Sequence, residues 1–405
     1  MGNVRLSRRA RLAVPAGALL AVGAVVAAVQ LPSAQAAPAL PARTPAQLIA
    51  DVARAAVTER APELSGTVVA TASLGLPQLS GTGNPASITS LLAGTHTIHV
   101  WYASARDYRI SVPGRMSETD LYRDGTTEWL WQSAQNSVTE FTGIPAQAPG
   151  ASLPAVPAAF TPQQAASDVL VAVGPTTVVS TDSNVMIAGQ AAYDLVLKPR
   201  NSGSLVDQVR IAVDAHNSIP LQVQVFAKNA TSPAISVGFS SVTFGAPAHA
   251  DVSYVRSLGA HVTKVNLAGR NFAQEIQGYL PKGASSSSGY LPAGSLPAGA
   301  LPAGVHSTGS AWTTVLELPA SLLTSALAPS TAPASAGSAT AAAQAAAAQG
   351  AAALQALLNS ATRVSGHWGS GRLVTSGLVN VLITSSTIYV GAVEPSVLYA
   401  AAARS

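Results

Sequence analysis

Cysteine is absent from the 405 residues, which excludes disulfides, thiolate catalysis, cysteine-ligated metals and a lipid anchor built on an N-terminal cysteine. Charge is scarce: 10% of positions carry it, against about 25% in an average soluble domain, so charged coiled coils and acidic disordered chains are excluded. Aromatics reach 5%, and much of the 48% apolar content is alanine, so bulk hydrophobicity overstates the core. No acidic residue precedes Asp51, whereas Arg5, Arg8, Arg9 and Arg11 crowd the first eleven positions. Taking those four from the 22 basic residues leaves 18 against 18 acidic ones. A nucleic-acid-binding surface, which needs a surplus of Lys and Arg against phosphate, thereby loses its support.

What is present at the N-terminus is a leader. Leu12 to Leu31 carries no charge, and Ala34-Gln35-Ala36 has small residues at both key positions of a signal peptidase site. Residues 1–36 are read as an export signal; the same apolar run is long enough to span a bilayer if it is retained as an anchor. Either way the remaining chain is expected outside the cytoplasm, secreted or tethered to the outer face of the membrane.

The mature chain reads as helix then meander, twice. Thr44-Pro45 pairs a capping hydroxyl with a proline at the first turn, and Leu48, Ile49, Val52 and Ala56 recur on one face, so a helix is expected over 45–60. The period then becomes two, giving strands at 64–74, 96–103, 107–112, 117–123, 128–132 and 137–141, joined by short turns such as Arg123-Asp124-Gly125. Thr161-Pro162 opens a second helix to 173, followed by strands at 176–180, 184–187, 192–198, 207–214, 221–228 and 236–244. Runs of strands with two interposed helices predict an α+β fold, a large antiparallel sheet with helices on one side.

Beyond Pro247 the composition changes. Leu-Pro-Ala-Gly recurs from Leu291, Leu296 and Leu301, a five-residue period that fits no packed element, so 249–311 is read as a Pro/Gly/Ser-rich linker. Residues 324–360 are mostly alanine, an insert within a small C-terminal α+β domain spanning 312–405. In that domain ordered structure is expected at 362–376, 378–384 and 387–393, and Glu394-Pro395 starts a last helix.

Motifs of covalent chemistry are missing: there is no Gly-x-Ser-x-Gly elbow, no phosphate-binding loop and no His-Glu-x-x-His. His96 and His99, three apart in a strand, point to opposite faces and do not share a metal. Glu118 and Asp120 share a strand face at a glycosidase-like spacing, but a solvated sheet face is the simpler reading. Gly366 to Gly371 reads as a turn between strands. The aromatics stand out instead: Trp101, Tyr102, Tyr108, Tyr122, Trp129 and Trp131. A strongly curved sheet with few bulky side chains leaves room on its concave face, and a hydrophobic ligand is its natural occupant, at about 0.8 kcal/mol per methylene buried.

The stretch Arg123 to Val138, with Gly125-Thr126-Thr127-Glu128-Trp129-Leu130-Trp131 at its centre, resembles a hairpin of LolA-type lipoprotein carriers and their RseB/MucB-like relatives. Ile187-Ala188-Gly189-Gln190 with Ala192 to Leu197, then Val209 to Asp214 with Ile219-Pro220-Leu221, then Val237 to Pro247 resemble three further segments of that family in the same order, over residues 43–248. The tail, through Trp312 to Val315, Gly369 to Arg372 and Gly391 to Pro395, is similar to the C-terminal part of long actinobacterial members. Trp131 stands where such carriers often have tyrosine, and the Leu-Pro-Ala-Gly repeats and alanine tract depart from the pattern. The resemblance implies an open half-barrel over 43–248 with helices on its concave side. Its interior would take a lipid, an acyl chain or a lipidated protein, with no cofactor and no covalent chemistry. The alternative it implies is a regulator that docks on a membrane-bound partner such as an anti-sigma factor and senses lipid or lipoprotein.

Side chains alternate across a strand, so Trp129 and Trp131 face one way together, as do Ile98, Val100 and Tyr102. Leu195 and Leu197 form a similar pair, with Val209, Ile211 and Val213 on the next strand. Sequence does not decide which set faces inward at each strand. These ten residues are taken as the expected cavity lining, with both tryptophans in the wall.

Overall fold

The computed structural model describes residues 39–57, 62–74, 93–114, 116–144, 162, 166, 174–268, 305–321, 355 and 358–404. The export signal, the Leu-Pro-Ala-Gly repeats, most of the alanine tract and most of the second Thr-Pro helix lie outside the described residues. Helix α1 (Pro45–Val57) begins with a reciprocal cap: the Gln47 amide donates to Thr44 Oγ1 at 3.3 Å and the Thr44 amide to Gln47 Oε1 at 2.9 Å. Leu48 and Val52, one turn apart, form its buried stripe.

Twelve strands follow close to their expected positions: β1 (Leu64–Ser73), β2 (Ala93–Ser104), β3 (Asp107–Pro113), β4 (Glu118–Asp124), β5 (Thr127–Gln132), β6 (Ser137–Thr142), β7 (Thr177–Thr181), β8 (Val185–Ile187), β9 (Gln190–Pro199), β10 (Val206–Asp214), β11 (Pro220–Ala227) and β12 (Ile235–Phe244). Between β8 and β9, Ala188 and Gly189 both take positive φ (51° and 81°), the pair of left-handed residues that a two-residue hairpin turn requires. With a thirteenth strand, β13 (His261–Asn266), the order across the sheet is β13-β6-β5-β4-β3-β2-β1-β12-β11-β10-β9-β7, with β8 also on β9. Strand β1 joins the two meanders by pairing with β2 on one side and β12 on the other. The ends of this order, β13 and β7, are not paired with each other, so the curved sheet is an unclosed half-barrel with helix on its concave side.

Residues 249–311 contribute structure that a linker reading omits. They hold the short helix α2 (His249–Val252), β13 (His261–Asn266) and β14 (His306–Thr308). Strand β13 adds in parallel to the free side of β6, His261 opposite Ser137 through Asn266 opposite Thr142. Its hold is mainly backbone pairing, with Val265 and the following Leu267 buried against Phe141; that is a weaker sequence signal than a full alternating run.

A second sheet is built from β14, β15 (Val315–Pro319), β16 (Thr362–Gly366), β17 (Gly369–Thr375), β18 (Asn380–Ile383) and β19 (Thr387–Gly391), ordered β14-β15-β19-β18-β17-β16, with α3 (Pro395–Ala402) packed on β18 and β19. Residues 362–376 form a hairpin turned at His367-Trp368 with Gly369 at φ +106°, the turn between strands expected of Gly366 to Gly371. Trp368 stacks on Tyr399 of α3 at 5.3 Å.

The two sheets are joined along a dense seam. The Leu205 amide donates to Ala392 O, Glu394 to Gly203 O (both 2.8 Å) and Gly377 to Leu74 O (3.0 Å), and Ser204 bridges Val393. Lys228 pairs with Glu394 at 3.2 Å. Trp312 and Leu378 enter the same buried cluster as Leu48, Val52, Leu195, Leu197, Val209 and Ile211. Ala166, helical and fully buried, packs there too.

Candidate functional site

Register traces one apolar face through the large sheet. Val209 lies opposite Leu197 and Ile211 opposite Leu195; Ile211 then faces Val223, Val223 faces Val237, and Val237 faces Ala70. Two residues along, Val68 is opposite Ile98, and alternation keeps Val100 and Tyr102 on the same side. This is the side that α1 covers, because Leu48 and Val52 pack into the cluster of Leu195, Leu197, Val209, Ile211 and Val213. The concave face therefore carries Ile98, Val100, Tyr102, Leu195, Leu197, Val209, Ile211 and Val213.

Position on that face does not make them all lining. Leu195, Leu197, Val209, Ile211 and Val213 are sealed beneath α1, and Ile98 is sealed among Val68, Ala70 and Val237. The half-buried members are Val100 and Tyr102, and beside them the structure places Ile110, Val112, Ile235 and Phe239. These four were not among the expected lining residues, although the alternation of Ile110 and Val112 in β3 was a signal for them. Phe239 can approach residue 66 because that residue is glycine: a Cβ there would sit 3.0 Å from its ring and 2.7 Å from Ser241 O. Burial raises the Tyr102 phenol above its ordinary range.

At the β3–β5 end the same face closes in a buried polar group. Tyr108 Oη donates to Glu128 Oε1 at 2.9 Å, and Arg123 donates Nη1 to that oxygen at 3.1 Å and Nε to Gly125 O at 3.2 Å. Burial raises the Glu128 carboxyl, with Tyr108 and Arg123 opposing, and burial plus the Glu128 charge raises Tyr108.

The tryptophans are a correction. Trp129 is opposite Tyr122, Tyr122 opposite Arg109, and Arg109 opposite Trp101, which puts Trp129 and Trp131 on the convex face, with their backs to Tyr102 and Val100. The inward positions of β5 are Glu128 and Leu130, both buried. Glu128 is held inside by Arg123 and Tyr108, both on Oε1, while its Oε2 is buried without a hydrogen-bond partner; the indoles are left outside. Of Glu118 and Asp120, only Asp120 departs from a solvated face: it is 1% exposed and accepts from Arg109 Nη2 at 2.7 Å and Tyr122 Oη at 3.1 Å, whereas the Glu118 side chain stays 40% exposed. Arg109 lies over the rings of Trp101 (4.7 Å) and Tyr122 (5.0 Å). Helix α2 crosses β2, β3 and β4 on this side, and Tyr254 just after it stacks on Trp129 at 5.3 Å and meets Tyr122 edge-on at 5.4 Å.

Among the described residues no three His, Asp or Glu side chains are grouped to hold a metal ion, and no helix is long and apolar enough to cross a membrane.

No family model matches the chain, and no curated protein matches it. Solved structures do. The complex of MucA and MucB from Pseudomonas aeruginosa is similar at 14% identity and a TM-score of 0.37, covering 88% of this chain and 97% of that one. LprF from Mycobacterium bovis is similar at 9% identity and 0.27, over 54% of this chain and 100% of that one. The LolA superfamily protein NE2245 from Nitrosomonas europaea is similar at 10% identity and 0.20, over 53% and 99%. Each likeness is one of fold, at identities that carry over no individual residue.

Proposed function

We propose that this chain is an exported binding protein that holds an acyl chain, as a free lipid or on a lipidated protein, against the concave face of its half-barrel, without covalent chemistry. The observation that carries the reading is the uncharged, half-buried patch of Val100, Tyr102, Ile110, Val112, Ile235 and Phe239, set beside a sealed core on the helix-covered side of the sheet. Each methylene withdrawn from water there contributes about 0.8 kcal/mol, so a long acyl chain gains enough from contact alone. A sealed core under α1 keeps the wall rigid while the patch stays open to a ligand.

A second reading, a regulator that docks on a membrane-bound partner such as an anti-sigma factor, is favoured by Val255 and Leu258. They are 80% and 98% exposed on the segment between α2 and β13, where a partner surface would cover them. Native mass spectrometry of the protein purified from its own membrane fraction tests the first reading. A bound species of lipid mass, lost on mild activation, is expected; ligand-free protein from that fraction, together with loss of partner capture in Leu258→Asp, would transfer the assignment to the regulator.

A further inference from the structure

Three of the five tryptophans, Trp101, Trp129 and Trp131, share the convex face with Tyr122 and Tyr254. Within this aromatic group four buried polar atoms have no hydrogen-bond partner: Asp120 Oδ1, Arg109 Nε, Trp131 Nε1 and Tyr254 Oη. Asp120 and Trp131 are direct cross-strand neighbours, and Arg109 is already bound to the other Asp120 oxygen. Ser111, opposite Asp120, donates to Glu118 Oε1 at 2.5 Å and lies close enough to Asp120 to help hold its carboxyl down, yet Asp120 Oδ1 itself has no partner.

Apart from the Tyr254 hydroxyl, which leaves with its ring when that ring is displaced, the unmet pattern is two donors and one acceptor between aromatic faces. An anion would meet Asp120, and a cation would compete with Arg109, which already fills the place over Trp101 and Tyr122. A hydrocarbon would leave all three atoms unpaired. A hydroxyl both donates and accepts, so adjacent hydroxyls on one ring meet Asp120 Oδ1 and the two N–H groups together, while the ring's C–H face lies on an indole. Tyr254 marks the position such a ring would take: it lies 18° from parallel over Trp129, at 5.3 Å.

We infer that the convex face of β2–β5 is a binding subsite for a neutral pyranose sugar, seated on Trp129 in place of the Tyr254 ring. The subsite is independent of the acyl-binding reading, since it lies on the opposite face of the sheet. The sugar's hydroxyls donate to Asp120 and accept from Arg109 and Trp131. Tyr254 acts as a removable cover, so affinity is set by the difference between the two stacked rings.

The test is tryptophan fluorescence and saturation-transfer NMR on the full mature chain, titrated with the methyl pyranosides of glucose, galactose, mannose and N-acetylglucosamine. At least one is expected to saturate, with transfer strongest to its ring C–H protons. Tyr254→Ala should tighten that binding severalfold, and Asp120→Asn should weaken it about tenfold or more, as expected for loss of a charge-assisted hydrogen bond. Trp131→Phe, which keeps a ring and removes the N–H, supplies the same test if Asp120→Asn fails to fold. Absence of saturation by all four sugars in both the parent and folded Tyr254→Ala would show that the three atoms meet an enclosed water only, and would overturn the inference. So would binding that neither Asp120→Asn nor Trp131→Phe changes.

Discussion

Trp312 Nε1 donates to Thr177 Oγ1 at 2.8 Å, across 135 residues of chain. The indole belongs by sequence to the tail and by packing to the core of the large sheet, beside Leu195 and Val209. Truncating a buried aromatic to alanine costs about 3–5 kcal/mol, so Trp312→Ala should lower the urea midpoint of the half-barrel and not merely loosen the second sheet. A chain ended at residue 268 should lose cooperative unfolding. If that shortened chain unfolds as sharply and as late as the parent, the seam is a docking contact between independent domains.

The buried Arg123–Glu128 pair, joined at 3.1 Å, gives a second expectation. Removing one member leaves the other charged and enclosed, at about 3–5 kcal/mol. Arg123→Met and Glu128→Leu should each destabilise by that order. The double variant, made with Tyr108→Phe so that no hydroxyl is stranded, should cost less than either alone. Additive losses in denaturant titrations would mean that the two side chains act separately.

Much of the fold was legible because β-strands bounded by turn residues show a period of two, and the strands from β1 to β12 follow it. Facing was less legible. In Glu128-Trp129-Leu130-Trp131, large apolar rings alternate with one leucine and one acid, so hydrophobicity favours the tryptophans as the inward set. The inward set is the other one, because Arg123 and Tyr108, on neighbouring strands, neutralise and hydrogen-bond Glu128. The Arg123 half of that partnership is a cross-strand pair of the local hairpin, but Tyr108 reaches Glu128 from β3, two strands away, with no local signal. Strand β13 was missed for a related reason: it is held by an edge pairing with β6, and its sequence borders a long Pro/Gly/Ser-rich stretch.

Asp120 sets a pH dependence. Burial raises its carboxyl above the ordinary 3.8, with Ser111 and Arg109 opposing. A carboxyl whose folded pKa exceeds its unfolded one binds its proton more tightly in the folded chain, so its contribution to stability falls as pH rises from 3.8 through the raised value. Asp120→Asn removes that fall. Relative to the parent, the variant should gain stability as pH rises through this window, in urea midpoints measured at a series of pH values. A parent that instead gains on the variant would mean that the Arg109 pairing outweighs burial.

The central claim is that the acyl chain lies on the concave face, and binding of a fluorescent fatty-acid probe to two folded variants tests it most directly. Val112→Asp puts a carboxylate into the half-buried apolar patch, where it must stay hydrated or be neutralised. Its affinity for the probe should drop by about tenfold or more, the equivalent of at least about 1.4 kcal/mol. Trp129→Ala alters only the convex face and should bind the probe as the parent does. A folded Val112→Asp with undiminished affinity, or a Trp129→Ala that loses the probe, would contradict the account.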